Sequence, residues 1–263
     1  MGVIGAWAAL LLAGQAAEPV ALAPAGKWTL EYGNKECTLA RSFGSSSGVV
    51  TFALRTGLEK RFGELMLVLR APIPAGPNEG SGRVLLSPSG RAFDAQWLRV
   101  PLRNSSARSV SVSVDSSFWG AFHQADSITF EIGEAAPVAL RTGSIAKAAV
   151  ALDSCRGDQL RSLGADPDAV VDPDPEQIVR LFGPGTYPRE AIMAGAQGRA
   201  VVLLTVDRSG APTACRPLVS ASHQSLDSVT CGNLMRGARF ATVADSGPVK
   251  RWSVVSVRWQ LPR

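Results

Sequence analysis

The sequence predicts an α+β chain in two folded parts. The first is an N-terminal mostly-β sandwich or barrel closed by one helix, and the second a smaller C-terminal layer of three antiparallel strands and two helices. Three observations lead there. Short apolar runs punctuated by Gly, Pro, Ser and Asn fill the first half of the chain. A Pro/Asp-rich stretch then interrupts it near residue 165. After that stretch the periodicities come in the order helix, strand, strand, helix, strand.

In the N-terminal part, taken as 26–164, strands are expected at 28–32, 37–43, 49–55, 64–69, 84–86, 95–100, 110–114 and 127–132. Val110-Ser-Val-Ser-Val114 shows the reason, with valines on one face and serines on the other, as a half-buried strand requires. The clusters at 44–48, 72–82 and 104–106 mark turns and loops. A helix follows at 144–163, where Ile145, Ala148, Ala149, Leu152, Cys155, Leu160 and Leu163 keep helical spacing. Residues 165–184 carry Asp166, Asp168, Asp172 and Asp174 among prolines and read as a solvated linker, with at most one helical turn at 177–182.

The C-terminal part, 185–263, opens with a helix at 188–196 started by Pro188. A strand at 199–206 is apolar on both faces, and Asp207-Arg-Ser-Gly210 turns the chain into a strand at 213–220. A helix at 225–238 and a last strand at 251–261 complete the unit, with Val255, Val257, Trp259 and Leu261 facing one way.

Composition narrows the function. With 46% hydrophobic and 19% charged residues the 263-residue chain has a globular balance. Its net charge of +5 comes from scattered Arg without any Lys/Arg run, so it carries no nucleic-acid footprint. Val3 to Ala17 is apolar but for Gln15, with small residues Gly14 and Ala16 before a cleavage site. About 14 apolar residues suit a signal-peptide core and fall short of a membrane span. Residues 1–17 are therefore expected to be a signal peptide, although no Lys or Arg precedes the apolar run, and a retained anchor is the alternative.

Four cysteines, Cys37, Cys155, Cys215 and Cys231, contain no Cys-x-x-Cys pair, and only His123 and His223 accompany them. Two disulfides in an oxidising compartment, and no metal site, are the expectation. Three pairings exist. The domain layout favours Cys37 with Cys155 and Cys215 with Cys231.

Catalytic motifs fare poorly. Gly44-Ser-Ser-Ser-Gly48 has the spelling of a nucleophile elbow, but a strand follows where that elbow needs a helix. With His123 and His223 in different parts no Ser-His-Asp set forms. The four linker aspartates lack the Gly and terminal Glu of a calcium loop. Neither enzymatic activity nor a cofactor is expected.

The C-terminal residues also carry a resemblance. Tyr187-Pro188, Ala191, Gly195-x-x-Gly198, Val201-x-x-x-x-Val206-Asp207-x-x-Gly210, Cys215, Ser220, Leu226-Asp227 and Cys231 run in order. Arg239-Phe240, Gly247-Pro248-Val249 and Val257-x-Trp259-x-Leu261 follow. The set resembles the C-terminal domain of TonB-type energy transducers. The resemblance implies a periplasmic domain that grips an extended peptide, the TonB box of an outer-membrane receptor or a segment of another envelope protein, as an added strand. It also implies coupling to an inner-membrane motor, but here the apolar N-terminus lacks His, and the linker extends only about 60 Å at full stretch. Ser220-Ala-Ser222-His223 replaces the family's Ser-Ser-Gly turn, and Ala241-Thr242 its Pro-Ala. The N-terminal part resembles invasion-associated locus B-like periplasmic domains, through an early strand Cys and a late helical Cys.

The function expected is a periplasmic binding or coupling protein, the alternative a structural envelope-interaction protein without energy coupling. Its partner surface is expected along the last strand: Arg251, Trp252, Val254, Ser256, Arg258 and Gln260, with Tyr187 and Pro188 near the groove. Trp252, Ser256, Arg258 and Gln260 would read the partner's side chains. On the bland reading the linker, or a second copy forming a homodimer, covers that edge. N-terminal sequencing of envelope-derived protein is expected to start near Ala17. An intact Met1 in the inner-membrane fraction would instead mark an anchored chain.

Overall fold

The computed structural model describes residues 20–45, 48–59, 63–69, 77–101, 108–115, 117–133, 136–183, 185–244 and 247–261. The expected signal peptide and the turn at 104–106 lie outside them, as do residues 46 and 47 of the Gly44–Gly48 loop. The fold mixes α and β: a large curled antiparallel sheet, a small three-stranded sheet, and helices.

The large sheet contains β1 (Thr29–Tyr32), β2 (Cys37–Ser45), β3 (Gly48–Thr56), β4 (Gly63–Leu69), β5 (Glu79–Ser87), β6 (Arg91–Pro101), β7 (Arg108–Val114), β8 (Ser127–Ile132) and β9 (Val138–Leu140). Their order is β1-β2-β3-β4-β7-β6-β5-β8-β9, every pair antiparallel. Alternate residues Leu39, Phe52, Leu54, Leu65, Leu67, Val110, Val112, Ile128 and Phe130 are buried together inside the curl. A segment that sequence reading had left outside the domain bonds both β9 and β2. Leu22 exchanges backbone hydrogen bonds with Ala139 and Arg141 beside β9, while Ala25 and Ala23 bond Ser42 and Gly44 of β2.

Two short elements escape periodicity because neither is long enough to show it. One is β9. The other is α1 (Ser117–Phe122), which buries Phe118 and Phe122 against Phe93. The segment at 72–82 is also less loop than expected, since β5 starts at Glu79. Helix α2 (Ala146–Ser162) sends Ala148, Leu152 and Cys155, with Ile145 ahead of it, into the same core. Cys155 there is bonded to Cys37 on β2, 118 residues earlier, with Cα atoms 6.3 Å apart.

The Pro/Asp-rich segment keeps Asp166, Asp168 and Asp174 exposed, and the helical turn expected at 177–182 is part of a longer ordered run. Asp166 caps a 3₁₀ turn (Pro167–Ala169) by accepting from the Asp168 N–H. Asp174 caps α3 (Pro175–Leu181) by accepting from the Glu176 N–H. Asp followed by Pro is a helix-start signature, the carboxylate satisfying a free donor and the ring presetting φ. Helix α3 then docks on the C-terminal unit, where the Asn233 side chain donates to the Leu181 carbonyl at 3.0 Å. A Cβ on Gly237 would lie 2.3 Å from Leu181 Cδ2, so a larger residue there would make the leucine side chain shift.

The small sheet has the order β11-β10-β12, from β10 (Gly198–Val206), β11 (Pro212–Val219) and β12 (Arg251–Trp259). Helices α4 (Arg189–Met193) and α5 (Gln224–Gly237) cover one face, where Ala191, Leu226 and Leu234 pack with Val202, Leu204, Val255 and Trp259. The opposite face is buried as well: Val201, Leu203, Leu218 and Val254 pack with Leu58, Leu160 and Ala165. Strand β10 is apolar on both sides because it lies between the helices and the N-terminal part. Cys215 on β11 is bonded to Cys231 on α5. Among the described residues no helix is long and apolar enough to cross a membrane.

The two disulfides differ chiefly in the loops they close, with sequence separations of 118 and 16 residues. On chain-entropy grounds, replacing Cys37 and Cys155 with Ala should cost about 4–5 kcal/mol, and replacing Cys215 and Cys231 about 3 kcal/mol. Urea denaturation of the two double variants checks the order.

Candidate functional site

An edge strand of a sheet offers every second N–H and C=O outward, because in an antiparallel ladder both groups of a residue point to the same side. On β12 that parity is set by one contact. The Val171 N–H donates to the Trp252 carbonyl at 2.8 Å, so Trp252 faces away from β10. Val254, Ser256 and Arg258 then face outward too, while Arg251, Ser253, Val255, Val257 and Trp259 pair with Val206, Leu204, Val202, Ala200 and Gly198. Among the described residues nothing bonds the outward backbone groups of Ser256 and Arg258. This strand contains no proline.

The opposite edge is blunted. On β11, Pro217 stands opposite Val202, whose backbone is turned toward β12, so the missing proline donor falls on the outer side. The next carbonyl, of Leu218, accepts from the Lys35 ammonium of the N-terminal part. Among the described residues a partner strand thus meets a blunted stretch at Pro217 and Leu218 on β11, and unbonded outward groups at Ser256 and Arg258 on β12.

Side chains divide β12 unequally. Val254 is only 5% exposed, and Trp252 and Val170 pack beside it against Leu58 and Leu160. Trp252 shares this face with Ser256, Arg258 and Gln260, as alternation predicts, and is half-buried where the N-terminal part and the folded linker cover the first half of the face. Ser256 is half-buried, whereas Arg258 and Gln260 are exposed. Arg251 points to the helix side, where it is buried and donates to the Asp207 carbonyl at 2.9 Å. The Asp207 carboxylate accepts from the Ser209 hydroxyl and the Ala211 N–H, which hold its pKa below the ordinary value.

Tyr187 and Pro188 are not on this edge. The Tyr187 ring meets Trp259 edge-on at 5.1 Å and its hydroxyl donates to the Ala196 carbonyl, so it anchors the end of β12 from the helix side. The Trp259 indole N–H donates to Thr230 on α5 at 3.0 Å. Pro188 lines a separate groove with Glu190, His223 and Ser225, between the starts of α4 and α5. His223 caps α5, its Nδ1 accepting from the Ser225 N–H. Just before it Ser222 has φ of 66°, the left-handed region that favours glycine, at the position where the transducer pattern has Gly.

The expected non-catalytic motifs resolve into structure. Gly44 and Ser45 end β2 and Gly48 begins β3, with Ser45 opposite Gly48 in an antiparallel pair. His123 is exposed in the turn after α1. Among the described residues no three His, Cys, Asp or Glu side chains are grouped to hold a metal.

Sequence reasoning missed a cleft of about 1220 Å³ between the two parts, into which the free portion of β12 opens. Ser256, Arg258 and Arg199 line one wall, and Glu59, Glu79 and Trp97 the other. Arg199 spans it: Nε donates to Ser256 Oγ at 2.7 Å and Nη2 to Glu59 Oε1 at 2.8 Å. The Glu59 side chain is 4% exposed against 51% for Arg199. The one sequence signal was the second apolar face of β10, which implied that something covers it.

Removing Arg199 strips a buried carboxylate of its partner. Arg199→Ala should lower stability by about 2 kcal/mol, and Glu59→Gln by less, since the amide still accepts a hydrogen bond. Chemical denaturation of both variants would check the inequality, and equal losses would mean that the contact is only a surface pair.

No curated protein and no solved structure matches the chain. The model of the family described as Gram-negative bacterial TonB protein C-terminal matches residues 184–261. The stretch holding α4, the three-stranded sheet and α5 is thus a TonB-type C-terminal domain.

Proposed function

We propose that this chain is a periplasmic binding and coupling protein of the Gram-negative envelope, without catalytic chemistry, whose C-terminal domain captures an extended peptide of an envelope partner by strand addition. The carrying observation is the asymmetry of the small sheet: β11 is blunted by Pro217 and Lys35, while β12 keeps free outward groups at Ser256 and Arg258. Backbone pairing would give affinity, and Arg258 and Gln260 selectivity. The matched domain supports an outer-membrane receptor as the partner class. The two disulfides fit an oxidising compartment.

A specific observation also favours the second reading, an envelope-interaction protein without energy coupling. The linker is folded into a 3₁₀ turn and α3 against the C-terminal domain, where a transducer needs a long extended spacer.

A labelled TonB-box peptide tests strand addition. Ser256→Pro removes an outward donor and should weaken binding at least about tenfold, whereas Arg258→Ala should weaken it only about two- to fivefold. A Ser256→Pro variant that is folded by circular dichroism and binds as tightly as the parent would overturn the mode. Capture of envelope partners by the parent, with no response to the peptide, would favour the second reading.

A further inference from the structure

The head of the β12 edge is already occupied, and the occupant is part of this chain. Val170 forms a parallel bridge with Trp252, and the Val171 N–H donates to the Trp252 carbonyl at 2.8 Å. Val170 has extended backbone angles, φ −79° and ψ 129°. Its side chain packs with Trp252 and Val254 on the N-terminal side of the sheet, while Val171 packs on the helix side with the core around Trp259. Adjacent residues thus point to opposite faces, as in a strand added to the sheet.

The pairing stops there for a chemical reason. In a parallel ladder, alternate residues of the added strand donate to alternate carbonyls of its neighbour. After Val171, the donors for the Val254 and Ser256 carbonyls would have to come from positions 173 and 175. Both are proline, which has no N–H. The chain instead leaves the edge, and Asp174 caps α3. Ser256 and Arg258 stay open, while both valines are only half-buried and held by one backbone hydrogen bond.

Resting on the strand-addition reading, we propose that Val170–Val171 is an internal, displaceable strand that occupies the partner site and reports its ligand chemistry. The incoming peptide runs parallel to β12, carries adjacent β-branched residues, and keeps N–H groups at the two positions where the linker has Pro173 and Pro175. It pairs first at the open Ser256–Arg258 end and then displaces Val170–Val171 from Trp252. The same step frees the linker from the sheet edge, so partner capture alters the connection between the two domains.

The probe is a labelled synthetic peptide of residues 167–178 in which Pro173→Val and Pro175→Val restore the donors. It is measured by fluorescence anisotropy against the disulfide-intact full chain and its Val171→Pro variant. Val171→Pro removes the strap's donor and should bind the probe about tenfold tighter, because the competent state is no longer masked. The peptide with both native prolines should bind at least about tenfold more weakly than the probe, having lost two backbone donors. Hydrogen exchange on the parent protein gives a readout independent of the variant's folding. At saturating probe the Val171 amide should exchange faster, while those of Val254, Ser256 and Arg258 slow. Slowed β12 amides with unchanged Val171 protection, or equal probe affinity for parent and variant, would overturn displacement and leave strand addition standing. No protection of β12 in either protein would overturn both.

Discussion

Strand β10 is buried on both faces and paired on both edges, and most of the C-terminal architecture follows from that constraint. A strand so placed has to be apolar throughout, and Ala200, Val202 and Leu204 on one side alternate with Val201 and Leu203 on the other. Two helices satisfy the first face. The second would be an exposed aliphatic patch if the domain stood alone, and such a patch has to be covered. Leu58, Leu160 and Ala165 cover it, so the N-terminal part is seated against the sheet by hydrophobic burial rather than merely tethered.

That seating also shapes the edge. Because the N-terminal part covers Val254, the open stretch of β12 is short and faces the cleft between the two parts, beside Arg199 and Glu59. The other edge is blunted at two adjacent points, by a proline whose missing donor faces outward and by a lysine from the neighbouring part. Native sheets commonly disarm an edge in these ways to avoid indiscriminate pairing. Here one edge is disarmed and the other only half so, through a linker segment whose prolines limit how far it can pair.

The N-terminal part is held by different means. The 22–25 segment bonds both β9 and β2, aromatic residues cluster under α1, and a disulfide ties β2 to α2. The long loop closed by that disulfide restricts the unfolded chain far more than a local bridge would. The short Cys215–Cys231 bridge instead pins α5 to β11.

The sequence by itself determined the mixed α and β make-up with a large and a small antiparallel sheet, the positions of most strands, both helices that cover the small sheet, the disulfide pairs and the resemblance that the family match bears out. These depend on local periodicity, turn chemistry and ordered spacing, all carried by neighbouring residues. Only the tertiary structure decided that Tyr187 packs against Trp259, that Arg251 and Val254 are buried, and that Arg199 reaches Glu59 from 140 residues away. Alternation in β12 told which residues share a face, but not what covers that face, because the covering residues lie far off in sequence. The Asp-Pro pairs of the linker signalled helix starts, yet whether those turns dock on α5 and lend Val171 to the sheet depended on surfaces assembled only once both domains had folded.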